Sequence, residues 1–229
     1  MKITLVHGQN HKGSSYTIGR MLAEKFDGAD IEEFFLPRDL EHFCLGCYSC
    51  IEDESRCPFY AEKKKILDSV TGADLLIFTT PTYCMHASAG MKSFLDLAFT
   101  YWMVHRPRRE MFSKKAVIIS TASGAGTGSA IKDIKDSLFW WGVPYIRKMG
   151  YAVHAMNWET VAPAQKEKIG KDVDRMAKKI SGSNVHVGIK TKACFSAMRL
   201  MQSKDMGSSP KEKEYWQENG WLGKGRPWK

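Results

Sequence analysis

The chain has 229 residues, 43% of them hydrophobic, which suits one large domain or a domain with a substantial appendage; 34 Lys and Arg stand against 25 Asp and Glu, a formal charge of +9. That balance suits polyanionic partners or phosphorylated cofactors, yet no recognition helix or aromatic RNA-binding motif accompanies it, so nucleic-acid binding stays a minor option. The opening MKITLVHGQN reads as a strand without a long apolar stretch, which excludes a secretory signal or a spanning helix there and points to a cytoplasmic, membrane-free protein with reduced thiols.

Strands and helices alternate, and the strands are continuous apolar runs, the mark of a parallel sheet covered on both faces. Residues 2–7 predict a first strand, and the loop HGQNHKGSSYT feeds a helix with Ile18, Met21, Leu22 and Phe26 as its inner stripe. A second strand falls at 31–35, followed by a cysteine-rich loop and a helix through Ile66 and Val70, whose basic run Lys63, Lys64 and Lys65 reads as a solvated face. The run ADLLIFTTP at 73–81 is a third strand, with Met91, Phe94, Leu95 and Ala98 on the helix after it. AVIIST at 116–121 is a fourth strand, and its glycine-rich exit leads into a helix holding Ile131, Ile134 and Leu138. A fifth strand spans 144–153. A closing helix starts near Pro163, a residue suited to a first helical turn, with Ile169, Val173, Met176 and Ile180 at helical spacing.

These elements divide the chain into an α/β domain at 1–182 and an extension at 183–229. The extension predicts a short helix through Phe195, Met198 and Met201, then a second helix announced by a capping-box pattern, Ser209 to Glu212 with Pro210 at the first helical position, and stopped by Gly220. Tyr215, Trp216, Trp221 and Trp228 are too much aromatic surface to leave in water. The extension should therefore dock on the domain, on a second subunit or over a ligand. Homodimers being the commonest assembly, packing on a two-fold partner is the expectation.

Ligands of an open parallel sheet gather at the carboxyl ends of its strands. The first exit offers accessible amides near Gly8 and Gly13 and hydroxyls from Ser14, Ser15 and Thr17 before a helix N-terminus, a set that can bind phosphate. It is neither a Walker A loop nor G-x-G-x-x-G, and plain N-capping by Ser14 or Ser15 explains the composition equally. The second exit places Pro81, Thr82, Tyr83 and His86 as an aromatic and backbone platform for a flat ring. The third, TASGAGTGSA, has Gly124 and Gly126, which let amides approach a ligand or simply make a turn. One phosphorylated planar cofactor satisfies all three together.

The stretch CLGCYSCIEDESRC packs Cys44, Cys47, Cys50 and Cys57, four of six cysteines, into fourteen residues. Its first three thiols resemble the bacterial ferredoxin spacing, with a longer gap to Cys57. A four-thiolate zinc site and a turn of small buried thiols are the other readings. Cys84 and Cys194 have no spaced partners and read as free buried cysteines; His7 and His154, at strand ends, read as hydrogen-bonded structural histidines.

Four marks in order give residues 1 to about 155 a resemblance to the flavodoxin-like NAD(P)H-dependent flavin reductase family, which includes the iron-sulfur flavoproteins. They are the opening strand and its loop, C-x-G-C-x-x-C at Cys44, Gly46, Cys47 and Cys50, the A-D-x-x-x-x-x-x-P-x-Y strand ending at Tyr83, and M-K-x-F-x-D at Met91, Lys92, Phe94 and Asp96. The resemblance implies a flavodoxin-like, doubly wound, five-stranded parallel sheet with helices on both faces, FMN as cofactor and NAD(P)H as donor. Gln9, Asn10 and His11 replace the usual Ser-Pro-Arg of the phosphate loop. By resemblance the FMN phosphate lies at Gln9, His11, Ser14, Ser15, Tyr16 and Thr17, the ring against Pro81, Thr82, Tyr83, Cys84, Met85 and His86, and its outer edge near Thr121, Ala122, Ser123, Gly124 and Gly126. Relatives divide over the cysteine run, some holding a 4Fe-4S cluster there and others none. The implied activity is hydride transfer from NADH or NADPH to FMN and onward to a quinone, free flavin, metal ion or redox protein; an electron shuttle between flavin and cluster, or a basic binding module without cofactor, are the alternatives.

Overall fold

The computed structural model describes residues 1–229. Five strands, β1 (Lys2–His7), β2 (Asp30–Phe35), β3 (Leu75–Tyr83), β5 (Lys115–Ala122) and β6 (Tyr145–Ala152), pair in parallel in the order β2-β1-β3-β5-β6. The order reverses between β1 and β3, and that reversal is the switch point of a doubly wound sheet. A sixth strand absent from the sequence reading, β4 (His86–Ala87), folds back antiparallel on the end of β3, and a single helical turn, α2 (Ser49–Glu52), lies within the cysteine run.

Period-two alternation builds the two layers. Leu75, Ile77, Val117 and Ile119 face α1 (Ser14–Ala23) and α6 (Pro163–Ser181), meeting Ile18, Leu22, Ile169 and Val173. Leu76, Phe78 and Ile118 point the other way, onto α3 (Tyr60–Gly72), α4 (Ala89–Leu97) and α5 (Thr127–Trp140), where Ile66, Met91, Phe94, Ile134 and Trp141 close the second core. Each central strand is buried on both faces, which is why it reads as unbroken apolar sequence.

Residue 63 lies on the inner stripe of α3 with 66, 67 and 70. Lys63 is therefore 2% exposed, against the expectation of a solvated basic face, and its Nζ donates to the carbonyl of Leu97 at 3.2 Å; Lys64 and Lys65 are exposed as expected.

The extension forms α7 (Ile189–Ser203), longer than the short helix expected, and α8 (Pro210–Glu218). Ser209 caps α8 by accepting from the Lys211 amide, while Glu212 accepts from the amide of Ser208. Gly220, with φ of 68°, ends the helix in a Schellman motif: its amide donates to Gln217 and that of Trp221 donates to Trp216. Phe195, Trp216 and Trp221 are buried against Met103 and Phe112 of the same chain. The Trp216 indole donates to the His105 carbonyl at 2.7 Å, and Tyr215 donates to Pro107 at 2.8 Å. These aromatics thus find cover within the chain.

Candidate functional site

The exits of β1, β3 and β5 form one continuous rim, stitched by short polar contacts. Ser88, at the head of α4, donates to the Gly8 carbonyl at 2.6 Å and receives the Met91 amide at 3.4 Å; its own amide donates to Thr80 Oγ1 at 3.0 Å. A Cβ on Gly8 would stand 2.5 Å from Ser88 Oγ, so only glycine fits this crossing. Thr82 and Ser120 hydroxyls lie 2.9 Å apart, joining the second exit to the third. There Gly126, with φ of 95°, has Met85 Sδ 2.8 Å from where its Cβ would be.

At the first exit α1 starts from Gly13 with no side chain capping it, so its first amides are open to an outside acceptor, and the Ser14 and Ser15 side chains stand beside them. The His11 ring lies over Gly13, 3.0 Å from its Cβ position, and Gln9 is half-buried. Thr17 and Tyr16, also expected at the phosphate, make contacts within the chain. Thr17 Oγ1 donates to the Gly13 carbonyl at 3.1 Å. The Tyr16 ring packs on His7 and Phe35, with centroids 5.0 and 5.7 Å away. His7 is structural, as expected: buried, with Nδ1 2.8 Å from Thr79 Oγ1 and Nε2 3.1 Å from Glu33. Burial holds its imidazole below the ordinary value, with Glu33 pulling the other way. His154 departs from expectation, being exposed with a left-handed φ of 52°.

At the second exit Tyr83 and His86 pair across a two-residue loop whose central residues, Cys84 and Met85, have φ of 48° and 70°. Both angles are positive, as a type I′ turn requires, and cost about 1–2 kcal/mol each for residues that carry a Cβ. The turn holds Tyr83, Cys84, Met85 and His86 exposed, which corrects the expectation of a buried Cys84. Pro81 and Thr82 are half-buried. On the third exit Thr121 and Ala122 are buried in the ladder, whereas Ser123 and Gly124 are exposed, with open space around Gly124. A planar ligand laid on this rim meets backbone and exposed side chains with few charges among them.

The cysteine run makes a separate cavity of about 320 Å³, bordered by Cys44, Cys47, Cys50 and Cys57 with Lys63 and Phe59. Cys50 and Cys57 are 7% and 8% exposed; Cys44 and Cys47 face solvent. No three Cys, His, Asp or Glu side chains of the chain stand where they could share a metal ion, so the four thiols border one cavity without converging. Hydrogen bonds from Ser49 hold the Cys47 thiol below its ordinary pKa, while burial pushes that of Cys50 up against the pull of Lys63. Arg106, itself buried, donates to the carbonyls of Cys50, Ile51 and Glu52 and pins the segment from below.

A family model for NADPH-dependent FMN reductase matches residues 1–157, the stretch that contains the whole rim and the cysteine run. The chain belongs to that family. It is therefore an NAD(P)H-dependent flavin oxidoreductase with FMN as cofactor. Among solved structures it is similar in fold to the NAD(P)H:quinone oxidoreductase from Methanothermobacter marburgensis, at 16% identity and a TM-score of 0.59 over 80% of this chain and 98% of that one. An FMN-dependent NADH-azoreductase from Bacillus anthracis, solved with FMN, aligns at 12% identity and a TM-score of 0.56 over 77% and 100% of the two chains. The flavoenzyme NAD(P)H:(acceptor) oxidoreductase FerB from Paracoccus denitrificans gives 16%, 0.55, 80% and 99% in the same order. No curated protein matches the chain.

The chemistry of the rim suits a phosphorylated planar cofactor: an uncapped helix start with two hydroxyls beside it, and an exposed turn. Sequence reasoning missed Ser88, Thr80 and Ser120, which join the loops, and Asp133, which lies across from His86. Ser88 had a signal, since it directly precedes the apolar stripe of α4 as an N-cap serine does.

Proposed function

We propose that this FMN reductase seats FMN on the rim, with the phosphate at the Gln9 to Ser15 loop, the ring against Pro81 to His86 and its outer edge at Ser123 to Gly126. On that reading electrons from NADH or NADPH pass to a small-molecule acceptor such as a quinone. The observation that carries it is the Gly8–Ser88 and Met85–Gly126 stitching, which holds a phosphate-type helix start, a strained ring-sized turn and an open glycine loop on one edge. Bound FMN supplies the hydride chemistry. The protein's part is to hold the phosphate on the α1 amides and Ser14 and Ser15 hydroxyls, and to present the amides of Thr82 to Met85 to the ring.

The test is anaerobic mixing of FMN-loaded protein with NADPH, then a quinone: the flavin band bleaches and returns. Ser15→Glu, which sets a carboxylate where the phosphate belongs, abolishes FMN retention. Protein that fails to take up added FMN overturns the placement.

The exposed apolar residues Phe43, Leu45 and Tyr48 support a homodimer that covers them, and six free thiols suit the cytoplasm. The second reading, a 4Fe-4S cluster on Cys44, Cys47, Cys50 and Cys57, is favoured by their sharing one cavity. It requires the exposed loop at 41–48 to close. Strictly anaerobic, iron-supplemented protein that contains neither iron nor sulfide rules it out.

A further inference from the structure

His86 is the one histidine on the exposed turn that follows β3, and its imidazole is held rather than free. Nδ1 lies 3.1 Å from Asp133 Oδ2, and the same oxygen accepts the amide of Ala87 at 3.0 Å. Asp133 projects from α5, so one carboxylate fixes both the backbone of β4 and the ring that β4 carries. The Asp133 side chain is 26% exposed while that of His86 is 67% exposed, so a half-sheltered acceptor orients a ring that otherwise faces solvent beside Tyr83 and Met85. A carboxylate facing Nδ1 sets the tautomer: Nδ1 keeps its proton and donates it to Asp133, and Nε2 becomes the position where a proton is exchanged. Lys132, next to Asp133 on α5, is itself paired with Asp136 at 2.5 Å.

The geometry points to His86 as the proton donor to the electron acceptor, with Asp133 as its positioning residue, and so to an acceptor class that must take up a proton together with its electrons. The inference rests on the ring placement given under the proposed function. A quinone needs two electrons and two protons to leave as hydroquinone. FMN, once bound and reduced by NAD(P)H, would supply the equivalent of a hydride, two electrons and one proton. The second proton passes from Nε2–H of protonated His86 to the quinone oxygen; the N–H bond breaks, an O–H bond forms, and neutral imidazole recovers its proton from water. Asp133 stays ionised throughout, and the Nδ1 proton stays on the imidazole, donated to that carboxylate. A one-electron acceptor that takes no proton, such as ferricyanide, has no use for the dyad. General-acid transfer of this kind contributes roughly 10²–10⁴-fold.

The experiment compares wild-type, His86→Gln and Asp133→Asn proteins, each loaded with FMN, against benzoquinone and ferricyanide. His86→Gln is expected to lower kcat for benzoquinone about 100-fold, with KM little changed. Because His86 belongs to the segment that carries the ring, the readout is the ratio of benzoquinone to ferricyanide turnover on fully FMN-loaded protein, which should fall about 100-fold whatever change His86→Gln makes to FMN affinity or to flavin bleaching by NADPH. Added imidazole should restore part of the quinone rate to His86→Ala. Independently of turnover, 15N spectra of histidine-labelled wild-type protein should show His86 protonated at Nδ1, a signal that Asp133→Asn loses. If quinone and ferricyanide rates fall together, or neither falls, while NADPH still bleaches the flavin, the role of His86 is refuted and the FMN reading stands. If His86→Gln and wild-type alike fail to hold FMN, the ring placement fails and the inference goes with it.

Discussion

The Gly8–Ser88 crossing offers a sharp test because two substitutions attack one contact from opposite sides. Gly8→Ala places a Cβ 2.5 Å from Ser88 Oγ and 3.0 Å from Thr80 Oγ1. That is about 1 Å inside the usual contact distance, and overpacking of this degree costs about 1–3 kcal/mol. Ser88→Ala removes the cap from the Met91 amide, about 1 kcal/mol. It also leaves the Gly8 carbonyl without its donor, about 1–3 kcal/mol when buried. In the double variant the new Cβ occupies the space vacated by Oγ, so the clash largely disappears. The double should therefore be more stable than the sum of the singles by about 1 kcal/mol or more. Urea unfolding followed by tryptophan fluorescence reads the cycle, and FMN titration of each variant reports whether the rim moves with it. Additivity within about 0.5 kcal/mol would show that the two residues do not bear on each other and that the stitching is not what holds the rim.

Two further outcomes follow from buried groups. Burial keeps His7 below its ordinary pKa, so on acidification the unfolded chain takes up the proton first; its stabilising contribution is complete above about pH 6.5 and is lost as pH falls below it. The unfolding free energy of wild-type protein minus that of His7→Gln should shrink as pH falls below about 6.5, and a constant difference refutes this. Trp216→Ala should cost about 3–5 kcal/mol, by emptying the centre of the aromatic cluster and orphaning the His105 carbonyl, while leaving FMN affinity unchanged. A loss under about 1 kcal/mol would mean that the extension is only loosely docked.

Burial on both faces is what made the central strands legible, since Leu75 to Phe78 and Ala116 to Ile119 carry no polar interruption. The three exits were legible for a related reason: glycines and hydroxyls mark where such strands stop. β4 was not, because its turn is made by Cys84 and Met85 in left-handed backbone instead of the Asn-Gly or Asp-Gly that signals such hairpins. Lys63 shows composition masking periodicity. Three consecutive lysines read as surface, yet 63, 66, 67 and 70 are one helical stripe, and the stripe decided. The His86–Asp133 pair spans 47 residues and depends on where α5 lies, which no local pattern encodes. The cysteine spacing located the thiols on one loop, but spacing does not aim side chains, and two of the four point outward.

The cysteine cavity is walled by parts of the chain made at very different times. Its thiols end at Cys57, while Lys63, Asp96, Leu97 and Phe99 complete the lining and Arg106 clamps the segment from beneath. β1 cannot be flanked on both sides until β3 has been translated, so the segment between them stays unhoused until then. At about 5–20 residues per second the stretch from Cys57 to Arg106 takes a few seconds to emerge from the ribosome. During that interval all four sulfurs, including the two later buried, are open to whatever delivers metal, oxidant or reductant to nascent chains. For Cys50 and Cys57, the two that are later buried, the order of synthesis thus bears on the chemical state in which they are enclosed, whereas Cys44 and Cys47 stay open to solvent.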